Sequence, residues 1–539
     1  MGRRQSDKPR KRLAETKVDV RLAESPLVRV TLPFTVALLM VSLFSRIRDH
    51  AALAVSFYGA VACLSVWLAF LAWQTTSQGR RLSVEFLPRR QHYMQAFVQG
   101  FIFFYWGWYW RPVYDSAILI VAQLLFAYAF DSLLSWSRRE KWVLGFGPFP
   151  IIFSTNIFLW FKDDWFYLQF VMIAVGFLAK EFIRWNREGK RTHVFNPSAF
   201  SLSLFSFALV FTGNSDLTWG PQIARTLFMP PKIYTVLFLL GLLAMYFFST
   251  TLIAACAATT MFGLSAIYFY YTGVYWFVDS EIPVAIFLGL HLLVTDPSTS
   301  PRTLAGKAIF GVIYGTLSFL SYGWLSSLGV PTFYDKLLPI PLLNLSVRAI
   351  DKMVLSKRLR LAAGSVPMRS RLSPRQLNVA FMSIWILFFI TMTAKGSIGD
   401  AHPGHYVPFW IKACDEGRTN GCRNLVRIEN LYCLDGSGWA CNALAIHLVE
   451  GKVTPQNRPR GAAAFAAACQ RGFAEACTNS ISSSRAAPAV ELLRGQPRIP
   501  DLPVLLRVGK GALPPMSSSE LASLACSQGW TTFCAVPGN

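Results

Sequence analysis

The sequence predicts an all-α protein in two parts, a polytopic membrane helix bundle followed by a small disulfide-stapled α-helical repeat domain. Three observations predict this. The 539 residues are 53% hydrophobic and only 15% charged, whereas soluble domains carry roughly 25% charge. Apolar runs alternate with short basic loops through residue 395, as in multi-pass membrane proteins. Eight of the ten cysteines lie after residue 400, in pairs whose two members are always the same distance apart.

The chain opens with a basic segment, residues 1–27, that begins MGRRQSDKPRKR. The apolar run at 28–44 follows it without a small-residue cleavage site at its end. A cleavable signal peptide would carry such a site. We therefore expect a cytoplasmic tail and a first membrane span.

Residues 28–395 form the predicted membrane domain. Thirteen apolar segments are candidate spans: 28–44, 52–73, 93–110, 115–135, 142–161, 165–184, 194–213, 232–249, 251–271, 282–295, 307–328, 336–351 and 377–394. With the N-terminus inside, most lysines and arginines fall in inside loops such as 75–92 and 185–193, which is the positive-inside pattern. The formal charge of +23 is thereby explained without a nucleic-acid partner. An odd number of spans places the C-terminal region outside the cytoplasm.

Residues 400–539 carry four cysteine pairs with one spacing, C-x7-C. The predicted pairs are Cys414 with Cys422, Cys433 with Cys441, Cys469 with Cys477, and Cys526 with Cys534. Each loop contains a glycine, so a helix, a glycine turn and a second helix would bring the two thiols together. Zinc sites need shorter knuckles, and an outside location favours disulfides. Buried unpaired cysteines remain the alternative, while Cys63 and Cys256 are typical apolar packing residues.

The C-terminal tail resembles Sel1-like, tetratricopeptide-related repeats of the cysteine-rich kind, over roughly residues 405–480 and 516–539. The first cysteines of successive pairs are 19, 36 and 57 residues apart, and only the second interval is close to one such repeat. The resemblance implies an array that binds other proteins, since solenoid repeats present extended binding surfaces.

Two polar breaks in the apolar region share one form, HVFNPSAF at 193–200 and VTDPSTSP at 294–301. Asn196 and Asp296 can cap a helix, and the proline that follows each suits the first helical position. The predicted topology puts both breaks at the cytoplasmic side, and paired proline-interrupted segments are typical of broken helices around a central site. The alternative is plain capping of a helix end. Asp296, with Thr295, could also bind a cation, although capping is the favoured interpretation.

Together these motifs resemble the NqrB/RnfD family, the membrane subunits of sodium-translocating NADH:quinone reductase and of the Rnf electron-transport complex. The likeness covers roughly residues 90–355 and is carried by REGKRTHVFNPSAF and LLVTDPSTSPRTLAGK. The stretch LLNLSVRAIDK resembles a later family segment, with Arg348 near the expected proline. FVDSEIPVAIFLGLHLLVTDP is closer to the UnbU-type branch. The resemblance implies two pseudo-symmetric or inverted helix repeats with broken helices, in a multi-pass protein of the bacterial inner membrane whose C-terminal domain is periplasmic.

The resemblance also implies flavin. Family members attach FMN through its phosphate to a threonine of an S-G-A-T or S-T-A-T motif between the two breaks. That motif is absent here; Thr226 in ARTL lies at the corresponding place, and Thr218 is the second choice. Riboflavin near the asparagine of F-N-P would fall on Asn196, and Thr295 and Asp296 complete the candidate cofactor residues.

Other motifs indicate structure more than chemistry. Aromatic clusters at 103–112 and 266–277 are typical of an interfacial belt, with flavin or quinone stacking as the alternative. His402 and His405 form HPGH after the last span, predicted to be a turn that holds the tail to the membrane; we predict no metal site and no catalytic motif. Two functions stay open: an electron-transfer subunit with possible coupling to cation movement, and a non-redox anchor or transport unit whose tail docks a partner.

Overall fold

The structure is a computed structural model that describes residues 27–78, 83–139, 141–187, 189–356, 373–484, 492–506 and 516–534. The predicted basic tail, residues 1–27, lies outside the described residues except for its last position. The fold is mostly helical, with 74% helix and 4% strand, as the predicted all-α class requires.

Five helices are long and apolar enough to cross a membrane, judged by length and composition. They are Ala51–Gln78, Pro112–Arg138, Thr251–Thr272, Leu304–Ser327 and Pro374–Ala394. Four shorter apolar helices accompany them: Arg29–Val41, Pro148–Phe158, Pro197–Thr212 and Ile233–Phe248. These helices confirm the membrane part in its coarse form. The number of spans and the topology remain predictions.

The chain divides into two compact units. The first comprises residues 1–101, 115–209 and 214–219, and the second comprises 102–114, 210–213 and 220–539. The division falls inside the apolar region, so the cysteine-rich tail belongs to the same unit as the second half of the membrane helices.

Apolar helices and two small strand pairs build the first unit. Its elements are Leu27–Val41, Ser45–Arg48, Ala51–Gln78, Ser83–Phe86, the start of Arg90–Tyr109, Ala117–Arg138, Lys141–Leu144, Pro148–Phe158, Asp163–Trp165, Tyr167–Phe182, Arg184–Arg187, Lys190–His193, most of Pro197–Thr212, and Ser215–Leu217. Ser83–Phe86 pairs in parallel with Lys141–Leu144. Arg184–Arg187 and Lys190–His193 form an antiparallel hairpin. These two strands follow the helices Ala51–Gln78 and Ala117–Arg138. The two helices therefore end at the same face of the unit.

The membrane part of the second unit has a close helix pair at its centre. Its elements are Pro112–Asp115, Gly220–Thr226, Ile233–Phe248, Thr251–Thr272, Val284–Leu292, Leu304–Ser327, Thr332–Tyr334, Pro339–Leu355 and Pro374–Ala394. A Cβ atom at Gly315 would lie 2.6 Å from the carbonyl oxygen of Ala257. Gly311 meets the carbonyl of Ile253 in the same way. Small residues at this spacing let two helix backbones approach closely.

The tail consists of short helices joined by tight glycine turns. They are Pro403–His405, Val407–Asp415, Thr419–Leu434, Gly438–Glu450, Arg458–Gln470, Ala474–Ser484, Ile499–Asp501, Leu502–Leu505, Ser518–Ser527 and Thr531–Phe533. Each C-x7-C loop turns at the glycine three residues after its first cysteine, and these glycines have positive φ: Gly417, Gly436, Gly472 and Gly529.

All four predicted cysteine pairs are joined as disulfides, each within one helix–turn–helix loop. The alternative of buried unpaired thiols is therefore wrong for these eight residues. The bonds join Cys414 to Cys422, Cys433 to Cys441, Cys469 to Cys477, and Cys526 to Cys534.

The pairing makes a direct prediction about thiols. Denaturing the full chain without reductant and alkylating it should modify two cysteines, Cys63 and Cys256, which are the free ones in the structure. Mass spectrometry gives the count, and the same protein after reduction supplies the control with all ten modified. Ten modified thiols before reduction would contradict both the disulfides and the extracytoplasmic tail.

The tail packs on loops at one end of the membrane helices of its own unit. Val274 belongs to the tail's hydrophobic core, which also contains Trp410 and Phe465. Arg418 donates to the carbonyl of Gly273, and Arg427 Nη2 donates to Thr332 Oγ1 over 2.8 Å. The loops that hold these partners are the ones assigned to the outside by the positive-inside pattern.

Candidate functional site

Asn196 caps the helix Pro197–Thr212, as the sequence predicts. Its Oδ1 accepts hydrogen bonds from the Ser198 hydroxyl at 2.9 Å and from the Ala199 backbone N–H at 3.3 Å. Pro197 is the first helical residue. The helix Tyr167–Phe182 approaches this turn at Gly176, where a Cβ atom would lie 3.0 Å from the Pro197 carbonyl oxygen. The F-N-P break is thus a buried, tightly packed helix start.

The T-D-P break has a different structure, and the prediction that Asp296 starts a helix is wrong. Asp296 Oδ1 accepts the Ser298 backbone N–H at 2.9 Å, and its Oδ2 accepts the Thr299 hydroxyl at 3.2 Å, which closes a turn. The next helix begins only at Leu304, with Thr303 as its cap. Thr295 ends the preceding helical stretch, where its hydroxyl donates to the His291 carbonyl.

Two residues that hold the T-D-P turn had no role predicted from the sequence. Asn344 Nδ2 donates to the Thr299 carbonyl at 3.2 Å, and Asp351 Oδ1 accepts the Arg302 backbone N–H at 3.3 Å. Both belong to LLNLSVRAIDK, the segment whose sequence resembles a later segment of the NqrB/RnfD family. The signal was present as a polar pair seven residues apart, two turns of one helix and therefore on one face.

Thr226 and Thr218, the two candidate attachment points for FMN, are both buried. The Trp106 indole N–H donates to Thr226 Oγ1 at 3.2 Å, and Thr218 donates its hydroxyl to the Ser215 carbonyl at 3.0 Å. A phosphodiester-linked flavin needs a hydroxyl with open space beyond it, and these hydroxyls face protein. The attachment of FMN at either threonine stays a prediction.

Asn196 lies in the first unit, whereas Asp296 lies in the second. Each break is a well-defined turn within its own unit. That the two turns meet at one central site stays a prediction.

The first unit also buries a side-chain amide cluster that no sequence motif indicated. Gln123, Asn156 and Gln169 come from three helices and bond to one another at 2.7–3.1 Å. Gln169 Oε1 also accepts the Phe161 backbone N–H. Amides between membrane helices hold the helices together; the signal in the sequence was no more than an amide residue in each of three apolar runs.

The HPGH turn is buried between the tail and the loop at 273–281. Trp410 donates its indole N–H to the Gly404 carbonyl at 2.7 Å, and His402 lies 4.3 Å from the Tyr275 ring, centroid to centroid. Burial lowers the pKa of His402 to about 3, so the imidazole is neutral at physiological pH. The predicted role in holding the tail to the membrane helices agrees with these contacts.

Glu281 is a buried carboxylate in the loop that precedes the short helix Val284–Leu292. Its backbone N–H donates to the Ser397 carbonyl, and no described residue hydrogen bonds to its Oε2. Burial raises the pKa of Glu281 from 4.5 to about 7.

This shift predicts a pH-dependent effect of Glu281→Gln. Between pH 4.5 and about 7 the unfolded chain ionises first, so the native protein loses stability as the pH rises. The glutamine variant escapes that loss and should unfold at a higher temperature above pH 7, with the difference vanishing near pH 4.5. Thermal unfolding in detergent across this range checks it, with Glu450→Gln as the control. If the two proteins differed in unfolding temperature by the same amount at every pH, the raised pKa of Glu281 would be contradicted.

The tail contains the cavity with the most distinctive chemistry. Its volume is about 220 Å³, and it lies among the helices Val407–Asp415, Thr419–Leu434 and Gly438–Glu450 and the segment at 494–496. Five polar side chains line it, namely Asp415, Glu429, His447, Arg494 and Gln496, together with the two indoles of Trp439 and Trp530. Glu429 is almost fully buried, which the sequence did not indicate because RIENLY has the pattern of an ordinary amphipathic helix.

The segment at 492–496 runs beside this cavity without regular secondary structure, and its Gly495 has a φ of 65°. Asn442 Nδ2 donates to the carbonyls of Leu493 and Arg494, each at 2.9 Å. Asn479 donates to the Leu493 carbonyl and accepts the Leu493 N–H, each at 2.8 Å. Two buried asparagines thus bind the backbone, not the side chains, of this segment.

A second, smaller cavity of about 150 Å³ lies where the tail meets the membrane helices of its unit. Arg225, Asp279, Asp335, Lys336 and Arg427 line it. Asp335 and Lys336 form a buried ion pair at 3.5 Å, which fits a structural role at the tail's attachment.

Among the described residues no group of three or more His, Cys, Asp or Glu side chains is placed to hold a metal ion. The likeness to NqrB/RnfD subunits and to Sel1-like repeats rests on the sequence motifs and stays a prediction. Comparison of the chain with protein-family models, curated proteins and solved structures found no match.

Proposed function

We propose that this protein is a membrane-anchored docking protein whose apolar helices hold a disulfide-stapled tail outside the cytoplasm, where the tail binds a partner protein. The observation that carries the proposal is the capture of the 492–496 segment by Asn442 and Asn479. The side-chain amides of Asn442 and Asn479 bind the backbone of the 492–496 segment, and the same chemistry can bind the backbone of a partner peptide.

The way the tail is attached supports this role. Polar contacts from Arg418 and Arg427, the buried HPGH turn and the shared core residue Val274 join the tail to its unit. A tail fixed in this manner presents its helices in a constant orientation. Four staples add rigidity, because each disulfide restricts the unfolded state.

Site-specific photo-crosslinking in intact cells tests the docking function. A photoreactive amino acid placed at Gln496, an exposed residue at the cavity, should give one discrete adduct that mass spectrometry assigns to one protein. The same residue placed at Lys452, which is exposed and does not line the cavity, should give none. Absence of an adduct at Gln496, or equal adducts at both positions, argues against a docking face.

A second candidate function is electron transfer with non-covalently bound flavin, in an NqrB/RnfD-like subunit coupled to cation movement. The observation that favours it is the way Asn344 and Asp351 hold the T-D-P turn, since the turn and the segment at 342–352 both lie in stretches that resemble the family. An absorbance scan of purified protein in the flavin region decides the matter. Yellow colour lost on denaturation and filtration supports bound flavin, and a colourless protein removes this candidate.

A further inference from the structure

We propose that the tail cavity is the recognition site for a basic side chain, of the lysine type, on an extended partner peptide. The inference rests on the proposed docking function and names the chemistry of the partner. It starts from a cavity with room for a side chain: its volume is about 220 Å³.

The floor of the cavity holds a carboxylate that lacks a full partner. Glu429 is 2% exposed, and no described residue hydrogen bonds to its Oε2. His447 Nε2 lies 3.4 Å from that oxygen, longer than the roughly 2.7–3.2 Å of a good N–H···O bond. A buried acceptor left in this state destabilises the fold. An ammonium group that enters the cavity would supply the missing donor.

The charges around Glu429 select a cation over an anion. Asp415 lines the same cavity and adds a second carboxylate at its exposed side, against one guanidinium from Arg494. An anionic side chain would face both carboxylates, whereas a lysine places its ammonium between them and leaves Arg494 toward solvent.

The aromatic residues provide the rest of the site. Trp439 and Trp530 meet edge to face, with ring centroids 5.2 Å apart. Indoles are the best aromatic partners for a cation, and their apolar surface suits the methylene stem of lysine. No described residue accepts a hydrogen bond from Trp530 Nε1, which is buried. This N–H can donate to a backbone carbonyl of the same peptide.

The segment at 492–496 shows how a peptide could pass the cavity. Arg494, Gly495 and Gln496 line the cavity, next to the Leu493 and Arg494 backbone that Asn442 and Asn479 bind. A partner chain that runs alongside this segment would place one of its side chains in the cavity.

The experiment uses the full chain in detergent and three blocked tripeptides, acetyl-Ala-Lys-Ala-amide and its norleucine and glutamate analogues. Isothermal titration should show the lysine peptide binding at least about tenfold more tightly than norleucine, a difference of about 1.4 kcal/mol, and the glutamate peptide not at all. Glu429→Gln should reduce lysine binding to the norleucine level. Glu450→Gln, a carboxylate on the helix Gly438–Glu450 outside the cavity, should leave it unchanged.

Thermal unfolding shows first that each variant is folded. If Glu429→Gln does not fold, Trp530→Phe keeps an aromatic side chain, removes the N–H and should weaken the binding of all peptides whose backbone carbonyl accepts from Trp530 Nε1. Equal affinity for lysine and norleucine, or unchanged lysine binding in Glu429→Gln, overturns the assignment of the cavity. That outcome together with a discrete adduct at Gln496 leaves the docking function standing; loss of both results removes the two proposals together.

Discussion

Replacing Gly311 with leucine should separate the helices Thr251–Thr272 and Leu304–Ser327 and give the largest loss of stability of any single change in the membrane part. The glycine lies against the carbonyl of Ile253, and its would-be Cβ is 3.0 Å from Cys256 Cβ. A side chain cannot be accommodated there by a rotamer change, because the nearest atom is backbone. The helices must move apart, which costs on the order of 3 kcal/mol or more.

The free thiol of Cys256 reports this separation directly. In a Cys63→Ser background, a maleimide dye should label Cys256 faster and at lower temperature in Gly311→Leu than in the unsubstituted chain. Gly263→Leu is the matched control, since it lies on the same helix as Cys256 and its Cβ would meet open space. Unchanged labelling in Gly311→Leu would show that the two helices do not pack through their glycines.

Local chemistry in the tail was predictable from the sequence. The C-x7-C spacing with a glycine three residues after the first cysteine specifies a helix, a left-handed turn and a second helix start. Gly436, with φ of 110°, illustrates why: a side chain at this backbone conformation is strained. The spacing therefore determined both the turn and the partner of each cysteine, as the bonds from Cys414 to Cys422 and from Cys469 to Cys477 show.

The two proline breaks show where pattern matching fails. Asn196 starts a helix because no second proline after Pro197 interrupts the backbone hydrogen bonds of that helix. Asp296 cannot, because Pro301 would fall in the second turn of the same helix, where a proline lacks the N–H donor and clashes with the preceding turn. The chain starts its helix after Pro301 instead, with Thr303 as the cap. The information was in the sequence, but the shared Asx-Pro-Ser form concealed it.

Contacts between distant segments were not predictable from spacing. Glu429 and His447 are buried together because three tail helices and the 494–496 segment close around them, and a single amphipathic helix gives no sign of that closure. The same holds for Asn344 and Thr299. The Asn344 side chain reaches the Thr299 carbonyl because helix packing brings the two segments together. A polar residue in an apolar run therefore predicted burial without predicting its partner.

Removing the disulfide between Cys433 and Cys441 should destabilise the tail by about 2–3 kcal/mol, the loss expected for a short closed loop. Alanine at both positions is the suitable change, because Cys441 is fully buried and serine would add an unpaired hydroxyl.

The loss of stability should extend beyond the loop, because this disulfide holds the turn between the helices Thr419–Leu434 and Gly438–Glu450. Ser437 caps the helix Gly438–Glu450 and donates to Asp501 Oδ1 at 2.8 Å, and Trp439 of the same helix lines the cavity. Loosening the loop would therefore release Asp501 and open the cavity, in addition to lowering the free energy of unfolding.

The disulfide between Cys526 and Cys534 provides the control, since it closes a loop of equal length at the last described turn of the chain. Its removal to alanine should cost a similar local free energy, and its effect on the cavity should be limited to Trp530, which this loop carries. Limited proteolysis of the full chain in detergent distinguishes the two. We expect the variant without the central disulfide to be cut throughout residues 419–505 and the variant without the terminal disulfide to be cut only after residue 516. If both variants were cut only after residue 516, the disulfide between Cys433 and Cys441 would not hold the cavity together.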